Sequence, residues 1–462
     1  MVSSEVAERY VKADVGVSIV PKSILARFRG RPGLERALKN IGWLFIDRMV
    51  RVLVGVFVTV LIARYLGPND FGVLSYALAL TALCGAMALL GMKEVVIRDL
   101  VKDPQMAGRT LGSAGGLMMI GSSASYVLLV SLVLLTRSDD AIAKLASFVI
   151  GASVLFRFLE FGAFWFESQV QSKYVVLAQL GVFLLASAAK VYLVAIDAPL
   201  VAFVVTVTIQ AITSSTAAAI VFARFKPDSV SLSFELRRAK QLVAESWPLL
   251  LAGIAMMVYT RIDQLMIASI LGDESVGIYT AAITVSEATY VLAVIVVATT
   301  FPAVLSAKKE GEAVYHARFQ QLFDLIVILA VAVAVPLTLL SGWITNTLFG
   351  KSYEAAGIVL TVHIWSLVFV FLGVVSGRWF VAENRQKLNL QRTILGALIN
   401  IVLNLVLIPR YGLIGAAVAS VIAHSIAAFF SDLFNAKTRS LFRMKLAALF
   451  VPRAVLRLVR NF

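Results

Sequence analysis

Runs of about twenty apolar residues recur along this chain, and they limit its fold before any motif is considered. About twelve can be marked, near 41–63, 72–92, 110–135, 145–166, 174–195, 200–223, 247–270, 277–305, 320–345, 357–380, 389–408 and 412–435. An α-helix needs roughly 20 such residues to cross a bilayer. Inside the hydrocarbon every backbone polar group must be satisfied within the chain, so runs of this length are expected to be helices. Composition agrees. Of the 462 residues 60% are hydrophobic and 15% charged, where a soluble domain carries about 25% charge. The connecting loops are short, which leaves little room for a soluble domain. The expected class is an all-α polytopic membrane protein.

No secretory signal peptide is visible. Residues 1–39 are polar and basic (Lys12, Lys22, Arg27, Arg29, Arg31, Arg36, Lys39) and lack an apolar core. Cys84 is the one cysteine, so no internal disulfide forms. His316, His363 and His424 are scattered without ligand spacing, and no metal site is expected.

Lysine and arginine set the orientation. The loops after even-numbered runs carry most of them: Lys93, Arg98, Lys102 and Arg109, then Lys173, then Arg224, Lys226, Arg237, Arg238 and Lys240, then Lys308, Lys309 and Arg318, then Arg385 and Lys387. The opposite loops hold few: Arg64, Arg137, Lys144, Lys351 and Arg410. Positive-inside places the first set and both termini in the cytoplasm. The net charge of +15 is mostly this bias. It is dispersed over loops, which disfavours nucleic-acid binding. After Pro452, Arg453, Arg457 and Arg460 fall at i, i+4 and i+7 beside Val455, Leu456 and Val459, a pattern suited to a helix lying on an anionic leaflet.

The chain repeats itself. "IARYLGPNDFG" at 62–72 is echoed by "IASILGDESVG" at 267–277. At this offset of 205, Ile62, Ala63, Leu66, Gly67, Gly72 and Ala77 meet Ile267, Ala268, Leu271, Gly272, Gly277 and Ala282. At an offset of 214, Trp165-Phe166 meets Trp379-Phe380 and Lys173 meets Lys387. The expectation is two pseudo-symmetric six-helix lobes in the same direction, related by an axis along the membrane normal, around a central cavity. The divisions are a tail at 1–39, a first lobe at 40–223, a linker at 224–245, a second lobe at 246–436 and an amphipathic tail at 437–462. Gly67 and Gly72, with Pro68, suit a tight extracytoplasmic turn.

Three segments carry a family likeness. "NIGWLFIDRMVRVLVGVFVTVLIARYLGPNDFGVLSYALAL", "LGMKEVVIRDL" and "RWFVAENRQKLNLQRTILGALINIVLNLVLIPRYGLIGAAVAS" resemble the bacterial polysaccharide flippases, the O-antigen and exopolysaccharide transporters. The resemblance runs from Asn40 to about Asn435. It places the chain in the superfamily that also holds the multidrug and toxin extruders and the peptidoglycan-precursor flippases. One departure is Glu167, where relatives often carry glutamine after the aromatics. The resemblance implies transport of an oligosaccharide on a polyprenyl pyrophosphate from the inner to the outer leaflet of the bacterial inner membrane. Polysaccharide polymerase and chain-length machinery are expected partners. No ATP site is expected: "FGKS" at 349–352 ends like a Walker motif, but Thr345 stands where its leading glycine belongs. Energy is expected from a proton or sodium gradient.

Charges inside the apolar runs are the candidate site residues. Asp47, Arg48, Arg51, Arg157, Glu160, Lys190, Arg261, Asp263 and Glu287 lie there. A charge at the bilayer centre costs about 2.5–3.5 kcal/mol, so each must pair, snorkel or face a cavity. Asp47 with Arg51, and Arg157 with Glu160, share helix faces and can pair. Arg48, Lys190 and Arg261 have no acidic residue three or four positions away. These three are expected to bind the pyrophosphate, with Arg51 and Arg157 as weaker candidates, because arginine grips phosphate with a planar fork. Asp47, Asp263 and Glu287 are the candidate ion-coupling acids. Gly112 and Gly116 have the spacing that lets helices approach closely. Two other functions remain open. A small-molecule exporter fits the architecture, although the surplus of cations disfavours cationic cargo. A membrane glycosyltransferase or polymerase would need a large extramembrane loop or an Asp-x-Asp pair, and neither is present.

Overall fold

A computed structural model describes residues 32–137, 139–228 and 230–461, so most of the basic tail 1–39 lies outside the described residues. The first half opens with α1 (Pro32–Gly85), which holds the first two apolar runs, followed by a polar α2 (Met92–Lys102) and α3 (Ala107–Thr136). The fourth run is α4 (Ala141–Ala152), a 3₁₀ segment at Ser153–Glu160 and α5 (Phe161–Ser168). Helices α6 (Lys173–Ala195) and α7 (Leu200–Phe225) complete this half. The second half runs through α8 (Leu236–Leu271), α9 (Asp273–Ala288), α10 (Tyr290–Ala307), α11 (Glu312–Leu339) and the short α12 (Ser341–Phe349). Then come α13 (Glu354–His363), α14 (Ser366–Ala382), α15 (Gln386–Ala428), α16 (Arg439–Leu449) and α17 (Val451–Asn461).

Among the described residues nine helical stretches are long and apolar enough to cross a membrane, or ten with the pair α13–α14, bent by 49°. The sequence led us to expect about twelve. The difference lies in two stretches, Gly42–Gly85 and Gln386–Leu433, of 44 and 48 residues. A straight helix of the first length would be about 66 Å long, twice the hydrocarbon thickness. Each is broken at a glycine. Gly67 has φ 75° and ψ 172°, and Gly412 has φ 59°, both in the region that glycine alone enters freely. At Gly412 the chain folds back on itself: a Cβ on Gly415 would sit 2.2 Å from the carbonyl of Leu407. In a straight helix those residues would be about 12 Å apart.

Within the first half α1 packs on α4 and α6, and α3 and α7 pack on the 3₁₀ segment. Within the second, α8 packs on α15, α9 on α13, and α14 on α11 and α15. Between the halves α1 meets α8 and α9.

The two sequence echoes correspond to real structural repeats. Gly272, the match of Gly67, has φ 87° and ψ 176° and separates α8 from α9. A Cβ on Gly72 would lie 1.8 Å from the carbonyl oxygen of Asp273, which is the match of Pro68. A Cβ on Gly277, the match of Gly72, would lie 2.0 Å from the carbonyl oxygen of Pro68. The contact is therefore reciprocal, as across a two-fold axis. At the second offset, Val170 (φ 57°) and Asn384 (φ 53°) are matched left-handed residues. The following N–H bonds back in both: Gln171 to Phe166 O at 2.8 Å, and Arg385 to Phe380 O at 2.7 Å. Both helices thus end in the same Schellman-type turn.

Two expectations are corrected. Gly112 and Gly116 do not receive a helix. The linker lies against them, with the Ser233 carbonyl 2.4 Å and the Phe234 ring 2.8 Å from the Cβ positions. Linker and α8 are further tied to the first lobe by Arg238 to Asp99 at 2.5 Å and by Arg98, which pairs with Glu245. The C-terminal helix is not simply laid on a leaflet either. Arg457 donates Nε and Nη2 to Asp324 of α11, at 2.8 and 2.7 Å, and Asp324 is fully buried. Val455, Leu456 and Val459 remain exposed on α17, while the Arg460 side chain lies outside the described residues. Glu167, the departure from the family pattern, pairs with Lys93 at 2.8 Å and joins α5 to α2.

Candidate functional site

The elements that meet between the lobes, α1 with α8 and α9, also carry most of the candidate charges. Arg51 donates to Asp47 one turn back at 2.7 Å, and its guanidinium lies 5.2 Å over the Phe183 ring of α6. Arg48 is exposed and forms no ion pair among the described residues. Arg157 donates to Glu160 at 3.1 Å and to the Gly85 carbonyl at 2.8 Å, which pins the 3₁₀ segment to the end of α1. Both same-helix pairs expected from sequence are formed.

The three cations without a local acid differ from one another. Lys190 donates to Gln210 at 2.6 Å, inside the first lobe between α6 and α7. Arg261 does have an acidic partner, Glu287 of α9, at 3.3 Å, with each side chain 32% exposed. Spacing along one helix could not reveal a partner on the next. Arg51, Arg157, Lys190 and Arg261 are each held by a different partner, whereas Arg48 forms no ion pair among the described residues.

Asp263 differs in kind from the other two acids. Asp47 and Glu287 are neutralised by arginines, whereas Asp263 is buried among neutral donors. It accepts from Tyr279 Oη of α9 at 2.9 Å, from Asn404 Nδ2 of α15 at 2.5 Å, and from Ser420 Oγ beyond the fold-back. No cation pairs with it among the described residues. Asn404 Oδ1 and Asn400 Nδ2, both buried, have no hydrogen-bond partner among the described residues. A buried carboxyl group held only by neutral donors is an arrangement that a proton or a small monovalent cation can complete. Sequence reasoning singled out Asp263 but missed Asn400, Asn404 and Ser420. The spacing of Asn400 and Asn404, one turn apart in an apolar run, was the available signal.

At the end opposite the basic loops the two lobes are joined by direct contacts. Arg137 of the first lobe grips Asp273 of the second with both nitrogens, at 3.0 and 2.6 Å, and stacks 4.5 Å over Tyr76. Tyr353 donates to the Ala63 carbonyl at 2.7 Å, and the Gly72–Gly277 contact closes the seam between them.

Comparisons with known proteins agree with this architecture. A family model described as polysaccharide biosynthesis protein matches residues 37–308, and one described as lipid II flippase MurJ matches residues 180–459. A probable low-salt glycan biosynthesis flippase, Agl15 of Haloferax volcanii, is 25% identical over 192 residues, 41% of this chain and 40% of the relative. Capsular polysaccharide biosynthesis protein CapF of Staphylococcus aureus is 28% identical over 82 residues, 18% of this chain and 21% of the relative. The chain thus spans under half the length of these curated relatives. Among solved structures, lipid II flippase MurJ in an inward closed conformation superposes with a TM-score of 0.67 at 16% identity, covering 91% of this chain and 93% of that one. An inward-facing multidrug resistance MATE family transporter superposes with a TM-score of 0.66 at 16% identity, covering 89% and 99%. At such identities the likeness establishes the fold alone. The family matches cover more than half of the sequence each, and the chain belongs to the polysaccharide biosynthesis protein family.

Proposed function

We propose that this protein is a flippase. It carries polyprenyl-pyrophosphate-linked oligosaccharide repeat units from the cytoplasmic to the periplasmic leaflet of a bacterial inner membrane, for surface polysaccharide synthesis. The observation that carries this reading is the placement of Arg48, Arg51 and Arg261 on α1 and α8, which pack across the two lobes. A pyrophosphate brings two or more negative charges, and half-exposed arginines there offer it partners that hydrocarbon cannot. In this reading the head group moves between the lobes by alternating access while the isoprenoid tail stays among lipids. Asp263 supplies the coupling to a proton or sodium gradient. A polysaccharide polymerase and chain-length proteins receive the product. Export of organic cations is disfavoured by the surplus of basic over acidic groups in these helices.

Two tests follow from it. Labels at Asp140 and Lys351 are expected to react from outside intact cells, and labels at Lys240 and Lys309 only after permeabilisation. External reaction at Lys240 would overturn the orientation. For the cations, Arg48→Ala is the cleaner probe, because Arg48 has no ion-pair partner among the described residues to strand. Loss of one charge-assisted contact to phosphate is worth about 1.5–3 kcal/mol, or ten- to a hundredfold in binding. Complementation of surface polysaccharide should fall accordingly for Arg48→Ala and Arg261→Ala at unchanged membrane levels. Arg261→Lys should restore part, since it keeps the charge and loses the fork. Full activity in all three variants removes these residues from the substrate path.

A further inference from the structure

The second lobe holds a polar cavity that transport between the lobes does not use. It encloses about 130 Å³ at the end carrying the basic loops, between the end of α14, the first turns of α15 and the segment after α15. Arg48, Arg51, Lys190 and Arg261 do not line it.

Its distinctive residue is Arg392. One guanidinium nitrogen, Nη2, donates to the Gly373 carbonyl at 3.3 Å, and the group lies 4.7 Å over the Phe380 ring. Nη1 is buried with no partner, and no carboxylate pairs with Arg392 among the described residues. The one acid in the cavity wall, Asp432, is already taken: Lys445 Nζ sits 2.5 Å from it and 2.6 Å from the Ala428 carbonyl. With Lys445 behind Asp432, the wall is left with a net positive charge at Arg392. Gln391 and Asn435 add neutral amide groups, while the Thr438 hydroxyl already donates to the Asp432 carbonyl at 2.8 Å. Lys387, Lys437 and Arg439, all exposed, flank the lining residues in sequence. A guanidinium nitrogen buried without a hydrogen-bond acceptor is costly, and an anion in the cavity would relieve it.

We propose that this cavity binds a phosphate group. Planar guanidinium and amide groups suit phosphate oxygens, and the volume is too small for an oligosaccharide. The same chemistry is presented by the phosphodiester of an anionic lipid in the adjoining leaflet and by a small phosphate ester from the aqueous side. Because the site lies within one lobe, it exists whether or not the two lobes move, and it stands even if the flippase reading fails.

The test uses the full-length protein in nanodiscs. Native mass spectrometry counts phosphatidylglycerol retained against phosphatidylcholine in mixed discs. Thermal unfolding in pure phosphatidylcholine discs is followed with and without inorganic phosphate, with chloride at equal ionic strength as control. Retention of one phosphatidylglycerol assigns the lipid source, and a rise in midpoint with inorganic phosphate assigns the soluble one. Arg392→Gln should weaken whichever is seen by about tenfold or more. Gln391→Glu, at an exposed rim position, should do the same by adding a like charge without disturbing packing, so the outcome does not depend on Arg392→Gln folding. Equal retention of both lipids with no response to phosphate overturns the proposal, and so does binding that Gln391→Glu leaves unchanged.

Discussion

Replacing Gly277 with alanine is expected to abolish transport while leaving the protein in the membrane at near wild-type amounts. The new Cβ would stand 2.0 Å from the Pro68 carbonyl, and in Gly72→Ala 1.8 Å from the Asp273 carbonyl. Both obstacles are backbone atoms of the opposite lobe and cannot rotate aside. The helices must part by about an ångström or more, which breaks the seam closed by Arg137 and Asp273. Overpacking of this kind costs about 1–3 kcal/mol. Spent on one of two states, that moves the equilibrium about 5- to 150-fold toward the form open at this end. Each lobe keeps its own core, so insertion should survive. The readout pairs polysaccharide complementation with crosslinking of cysteines at Asn69 and Glu274, exposed on opposite sides of the seam. Normal transport with unchanged crosslinking in both alanine variants would show that the seam tolerates the methyl group. Arg137→Ala removes the latch without a clash and should act in the same direction more weakly.

The glycine seam was legible in the sequence because both halves write it in the same register. Offsets of 205 and 214 led to the matched φ of Gly67 and Gly272 and to the matched helix ends at Val170 and Asn384. Parallel repeats make sequence spacing report on three-dimensional symmetry. Contacts between helices left no such trace. Arg261 looked unpaired because the test ran along one helix, and its partner Glu287 lies 26 residues on. Asp324 and Arg392 were not singled out: each sits within an apolar run, and their partners come from α17, 133 residues away, and from a carbonyl on α14. The long stretches at α1 and α15 read as pairs of runs, because breaks at Gly67 and Gly412 interrupt the apolar pattern only briefly.

Asp263→Asn is expected to uncouple transport from the ion gradient. Its surroundings make this substitution unusually informative. Among the described residues Asp263 has no arginine to strand, in contrast to Asp47 and Glu287, where the same change would leave a cation uncompensated in the membrane. The replacement keeps the size of the side chain, and its amide oxygen can still accept from Tyr279 and Ser420. Its amide nitrogen would face the Asn404 amide nitrogen, but Asn404 Oδ1 is unpaired and a flip of that amide turns an acceptor toward it. Folding should therefore change little. What disappears is the negative charge that a proton or sodium ion would neutralise, and ion affinity should fall by at least about tenfold, near 1.4 kcal/mol. Flipping of a lipid-linked sugar in sealed vesicles, with sodium and proton gradients imposed separately, reads the effect. The wild type should accelerate under one of the two gradients, and Asp263→Asn should run at the rate seen without it. Asp47→Asn and Glu287→Gln should lower activity while keeping the response, because they disturb Arg51 and Arg261, the arginines that the proposed function assigns to the substrate. If Asp263→Asn keeps the wild-type response, the carboxylate is a packing device for α8, α9 and α15, and coupling must be sought elsewhere.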